Sequence, residues 1–257
     1  MQIVFALVAL VVGFVLLVKG ADWFVEGSAG IANKFGIPQI VIGLTIVAMG
    51  TSMPEAAVSI SAALRGSAEI TIGNVVGSNI MNILVILGLT AVVCQIAVQK
   101  TTIHYEIPMV IGVTILLAVM GLQNNIISRA EGVILLACMV VYMLYLLRLA
   151  KRGVVENEEM DAYAKQVSFG RLILLVVVGV AAIIFGSHVA VEAASAIARI
   201  FGISERFIGL TIVAFGTSLP ELVTSVAAAR RGNSDIAVGN IVGSNLFNIM
   251  FVVGITA

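Results

Sequence analysis

Long apolar runs separated by short polar breaks dominate this chain, and each run is close to the roughly 20 residues that cross a bilayer as a helix. Eight runs are present, over residues 2–20, 37–64, 69–93, 104–122, 126–148, 168–198, 204–229 and 235–257. They predict an all-α membrane protein. The breaks at 34–36, 65–69, 98–102 and 199–206 read as short connections, and the one extended hydrophilic stretch, 150–167, reads as a solvated cytoplasmic linker too short to fold as a sensor domain. The first run lacks a basic n-region and exceeds the apolar core of a signal peptide, so it is expected to remain as a helix.

The runs repeat. Residues 43–91 match residues 209–257 at 28 of 49 positions without a gap, at a constant offset of 166. Spans two and seven are therefore equivalent yet five crossings apart, an odd number, which makes the two repeats inverted in the membrane. Many secondary transporters are built this way and bind substrate near the midplane where the repeats meet. Residues 1–149 form the first repeat, with five helices. Residues 168–257 form the second, with three helices present, and symmetry leads us to expect about 57 further residues in a ten-span protein.

Composition agrees: 60% of residues are apolar and 11% charged. The net charge of zero gives no sign of a nucleic-acid partner. Ten of the fourteen Lys and Arg lie in or beside the connections after spans one, three, five and seven. By the positive-inside rule those connections are cytoplasmic and the N-terminus is outside. Cys94 and Cys138 lie in apolar runs and read as packing residues, and His104 and His188 read as interfacial imidazoles.

Polar residues that recur inside the runs are the candidate chemistry. Gly50-Thr51-Ser52 with Pro54-Glu55 returns as Gly216-Thr217-Ser218 with Pro220-Glu221, and Gly73-Asn74, Gly77-Ser78-Asn79 and Asn82 return as Gly239-Asn240, Gly243-Ser244-Asn245 and Asn248. Pro54 and Pro220 each remove an amide hydrogen and free the carbonyl four residues earlier, at Gly50 or Gly216. A plain proline kink would not bring a hydroxyl pair and a carboxylate in both copies. Glu55 and Glu221 read as the only acids deep within spans, where a central acid costs roughly 2.5 to 3.5 kcal/mol on insertion scales. The other acids are expected on solvated ends, with Asp22, Glu26 and Glu192 as weaker candidates for ion access. Two carboxylates, the hydroxyls of Thr51, Ser52, Thr217 and Ser218, and freed carbonyls are hard oxygen donors of the kind Ca2+ gathers, 6 to 8 at a time at about 2.3 to 2.6 Å. Ser78 with Asn82, and Ser244 with Asn248, share a helix face at i and i+4 and complete the donor set. The glycines in the second motif are expected mainly to pack helices closely.

At these two motifs the chain resembles the calcium/cation antiporter superfamily, in particular its prokaryotic sodium/calcium exchangers, and the resemblance covers the whole chain. It implies ten helices in two inverted repeats with discontinuous helices, eight spans of which are present, and alternating access by sliding of helices one and six. It also implies four ion sites. Glu55, Glu221 and the carbonyls of Thr51 and Thr217 would hold calcium. Ala48, Ser52, Ser78, Ala214, Ser218 and Ser244 would add the sodium sites, and Asn82 and Asn248 the central position. Several characterised exchangers carry Asp where this chain has Asn248, which bears on coupling stoichiometry. The expected function is exchange of Ca2+ for Na+ across the cytoplasmic membrane of the cell by a monomer in the lipid bilayer, without a cofactor. Proton-coupled or potassium-dependent exchange on the same scaffold is the alternative, followed by a passive cation channel. An intramembrane hydrolase fits worst, because Thr51 and Ser52 have no oriented general base nearby.

Overall fold

A computed structural model describes residues 2–66, 68–124, 127–151 and 167–257, and all regular structure among them is helical. Most of the hydrophilic stretch 150–167 lies outside the described residues. Among the described residues six helices are long and apolar enough to cross a membrane, or eight when each of two bent pairs is taken as one span.

Span one corrects the sequence expectation. It continues unbroken through Gln2–Phe35 instead of ending near residue 20. Asp22 and Glu26 interrupt the apolar run, but Ala21, Phe24, Val25 and Ala29 keep one face of the helix buried past that point. Span six is its equivalent, Phe169–Ile200. The two run antiparallel in close contact. A β-carbon added at Gly13 would lie 2.9 Å from the carbonyl oxygen of Gly186, and one added at Gly20 would lie 2.9 Å from that of Gly179. These contacts are related by the repeat, since Gly13 corresponds to Gly179 and Gly20 to Gly186.

Spans two and seven are broken where the sequence places their prolines. Gln39–Thr51 and Met53–Leu64 meet at a 50° bend, as do Thr211–Thr217 and Leu219–Arg230. Ser52 and Ser218 sit at the breaks, with ψ near zero (8° and 2°), and the proline falls in the first turn of each second half, where its missing amide is tolerated. Spans three (Glu69–Val93), four (Thr102–Leu122), five (Arg129–Ala150) and eight (Ser234–Thr256) are continuous. π-Helical turns interrupt them at Asn82–Ile86, Thr102–Glu106 and Asn248–Val253, and further π-turns lie in spans two and seven at Gly43–Val47 and Gly209–Val213.

Symmetric in sequence, the two halves are not equally packed. Span eight is 89% buried over its most apolar window and span three 33%, in part because spans four and five pack on span eight and have no counterparts among the described residues of the second repeat. The first half of span two is seated on span eight: a β-carbon at Gly43 would lie 3.0 Å from Gly239 Cα, and one at Gly243 would lie 2.7 Å from Ala48 Cβ. At the equivalent interface of span seven with span three, β-carbons at Gly209, Gly73 and Gly77 would meet nothing within 4 Å. An ion pair follows the same asymmetry. Arg231 reaches Asp22 and Glu26 of span one, each at 3.4 Å, whereas its equivalent, Arg65, pairs with no described acid.

Candidate ion-binding site

Breaking spans two and seven at a serine places a carboxylate in the first turn of each second half. Glu55 and Glu221 both lie there with no exposed surface, at the amide ends of helices that favour negative charge. The breaks also cross-link the repeats. Ser52 Oγ donates to Glu221 Oε1 at 2.8 Å, and Ser218 Oγ donates to Glu55 Oε1 at 3.4 Å. Ser78 Oγ lies 3.4 Å from both Glu55 Oε1 and Ser218 Oγ.

From the other pair of spans, Asn248 Nδ2 donates to Ser78 Oγ at 3.5 Å and to Asn79 Oδ1 at 3.2 Å, while Asn82 Nδ2 donates to Asn245 Oδ1 at 2.9 Å. Ser244 Oγ donates to the carbonyl of Ala48 at 3.5 Å. The longer of these contacts stand at the outer limit of hydrogen bonding. Four oxygens in this cluster are buried with no hydrogen-bond partner: Glu55 Oε2, Glu221 Oε2, Asn82 Oδ1 and Asn248 Oδ1. Buried polar atoms in native proteins are nearly always paired, so four orphaned acceptors in one place require a positively charged occupant or water.

The structure therefore brings together Glu55, Glu221, Ser52, Ser218, Ser78, Ser244, Asn82, Asn248 and Ala48. The threonine hydroxyls differ between the two copies: Thr51 Oγ1 donates to Asn240 Oδ1 at 2.9 Å and also lies against the Glu221 carboxylate, whereas Thr217 Oγ1 donates to the carbonyl of Ala214 at 3.2 Å. Ala214 is exposed, where its equivalent Ala48 is fully buried. Of the carbonyls freed by proline, that of Gly216 accepts a hydrogen bond from Ser187 Oγ at 2.8 Å. Gly50 has no such partner, because Ala21 stands at the equivalent position of span one.

Sequence reasoning overlooked the braces behind the carboxylates. Asn74 Nδ2 donates to the carbonyl of Glu55 at 3.1 Å and to Ser59 Oγ at 3.0 Å. Asn240 Nδ2 does the same for Glu221, at 3.3 Å, and for Ser225 Oγ, at 2.9 Å. Both pairs recur at the offset of 166, which was the signal available. A second correction concerns Glu106, expected on a solvated helix end but fully buried. His104 and His188 are exposed, and Cys94 and Cys138 are free thiols packed at the edge of the core.

Inverted repeats, two broken helices crossing at the centre, and a carboxylate-lined cluster of oxygen donors define a multi-pass membrane transporter of cations. The chain belongs to the sodium/calcium exchanger protein family, whose model matches residues 5–148 and 171–257. It is 38% identical to the inner membrane protein YrbG of Escherichia coli K12, over 96% of this chain and 78% of that protein. It is 33% identical to the sodium/calcium exchanger MaX1 of Methanosarcina acetivorans, over 96% of this chain and 81% of that one. Among solved structures, the sodium-calcium exchanger NCX_Mj soaked with 10 mM Na+ and zero Ca2+ matches with a TM-score of 0.85 at 36% identity, covering 99% of this chain and 82% of that chain. Members of this family are exchangers, so the chain is a cation antiporter and not an enzyme, and the ions it moves are substrates and not cofactors.

Proposed function

We propose that this protein exchanges Ca2+ for Na+ across the cytoplasmic membrane, exporting Ca2+ as Na+ enters, with the N-terminus outside and residues 1–149 and 168–257 acting as the two repeats. The observation that carries this reading is the set of four orphaned oxygens on Glu55, Glu221, Asn82 and Asn248. Two carboxylates match the charge of one dication, and the neutral oxygens around them are donors that Ca2+ and Na+ both accept. Ser52, Ser78, Ser218 and Ser244, with the carbonyls of Ala48, Thr51, Ala214 and Thr217, are the further ligands of this proposal. MaX1 and NCX_Mj, both sodium/calcium exchangers, support the same two ions.

Alternating access is supported by the unequal interfaces. The first half of span two is seated on span eight through Gly43, Gly239 and Gly243, while Gly209 of span seven and Gly73 and Gly77 of span three make no such contact. Exchange between this arrangement and its mirror would expose the site to each side in turn.

The test is 45Ca2+ uptake into proteoliposomes under imposed Na+, K+ or proton gradients, one at a time. Uptake driven by Na+ alone, and reduced at least a hundredfold by Glu55→Gln or Glu221→Gln in protein that still folds, is the expected result. Uptake driven by K+ or protons without Na+ would reassign the coupling ion, and near-normal transport by either variant would remove the carboxylates from the calcium site.

A further inference from the structure

Span four begins with the π-helical turn Thr102–Glu106, whose Tyr105 and Glu106 both meet Tyr145 of span five. Glu106 has no exposed surface, and neither has Thr102, one turn earlier on the same helix. Tyr145 of span five donates its hydroxyl to Glu106 Oε1. The remaining oxygens, Glu106 Oε2 and Thr102 Oγ1, are both buried without a hydrogen-bond partner. Tyr142, one turn before Tyr145 and within electrostatic range of Glu106, places its hydroxyl 3.4 Å from the carbonyl of Leu44 in the π-turn Gly43–Val47.

This carboxylate takes no part in the central site. Nor does any Lys, Arg or His among the described residues stand within 4.0 Å of it as an ion-pair partner. On its own turn His104 and Tyr105 are exposed, with His104 Nδ1 against the carbonyl of Lys100. A carboxylate charge taken out of water without a counter-charge costs several kcal/mol. The orphaned hydroxyl beside it makes the cluster a set of hard oxygen donors with one negative charge, which a single alkali cation balances and a dication overbalances.

We propose that Glu106, Thr102 and Tyr145 form a second cation site, separate from the central cluster, that binds one monovalent alkali cation, Na+ or K+. Through Tyr142 and the Leu44 carbonyl, its occupancy stabilises the seating of the first half of span two on span eight. The proposal does not depend on which ion is coupled to Ca2+.

The test uses full-length protein carrying Glu55→Gln and Glu221→Gln, so that the central carboxylates no longer report, titrated with NaCl or KCl against choline chloride at constant ionic strength. Two of the four tyrosines surround the proposed site, so tyrosine ultraviolet difference absorbance is the readout. We expect a saturable signal with Na+ or K+ whose midpoint rises at least tenfold on adding Glu106→Gln, which keeps an acceptor for Tyr145, and rises less on Thr102→Val. If the double variant does not fold, thermal stabilisation by K+ over choline is compared between the otherwise wild-type protein and Glu106→Gln, and most of it should vanish in the variant. A signal absent in all alkali salts, one unchanged by Glu106→Gln, or one that follows pH but not cation concentration would each overturn the proposal, the last by showing that the site holds a proton only.

Discussion

Asn240 illustrates how much a single neutral side chain carries at the centre of this molecule. It accepts from Thr51, donates to the Glu221 carbonyl and donates to Ser225. Its equivalent Asn74 makes only the two donor contacts, to the Glu55 carbonyl and Ser59. A buried polar group left without a partner costs about 1–3 kcal/mol. Asn240→Ala is therefore expected to destabilise the protein by at least about 1 kcal/mol more than Asn74→Ala, read as the lower melting temperature of the two in detergent. Equal losses would show that the Thr51 contact contributes nothing. Glu55 and Glu221 were legible in the sequence because each stands beside a proline in an apolar run, a combination with no packing explanation. Glu106 was not. It lies only a few positions from Lys100, and hydropathy cannot distinguish a helix end facing solvent from one facing a neighbouring tyrosine.

Among the helices, the breaks in spans two and seven do the positioning. Pro54 and Pro220 end one half-helix and start the next, which turns Glu55 and Glu221 into first-turn residues at a 50° bend. Alanine at either position restores an amide donor and removes the clash that forces the break, a penalty of about 3 kcal/mol inside a continuous helix. Pro54→Ala and Pro220→Ala are expected to preserve or raise thermal stability while lowering Ca2+ flux at least tenfold, because a straighter span swings the carboxylate away from Ser218 or Ser52. Full flux in a more stable variant would show that the bend is held by other contacts. The sequence announced these breaks through proline, whose geometry is local. It did not announce the π-turns at Asn82–Ile86 and Asn248–Val253, since one extra residue in a helical turn depends on how the helix packs. Nor did it announce the length of span one, where Asp22 and Glu26 lower the hydropathy without ending the helix.

For the whole molecule, the duplication predicts two equivalent interfaces, and the structure has one closed and one open. The sequence could not say which. Gly43 and Gly209 are the same residue, as are Gly73 and Gly239, and Gly77 and Gly243, so the contact made by Gly43 with Gly239 is chemically available to Gly209 with Gly73. Two arrangements of nearly equal energy are what an exchanger needs, and a bias of only 1.4 kcal/mol shifts their ratio tenfold. Gly239→Val puts a branched side chain where even a β-carbon would lie 2.9 Å from Gly43 Cα. It should unseat span two and favour the mirror arrangement. Gly73→Val should block that mirror arrangement and hold the one described here. Ala48 and Ala214, equivalent by the repeat, report the difference: Ala48 packs against Gly243, while Ala214 is exposed at the open interface. With Ala214→Cys as reporter and no transported ion present, Gly73→Val should leave labelling by a membrane-impermeant maleimide as fast as in the parent, and Gly239→Val should slow it about tenfold or more. With Ala48→Cys the order should reverse, and labelling should come from the opposite side of the membrane. Both reporters responding alike to the two valines would mean that these glycine contacts do not exchange during transport and that the open interface is a fixed feature of the fold.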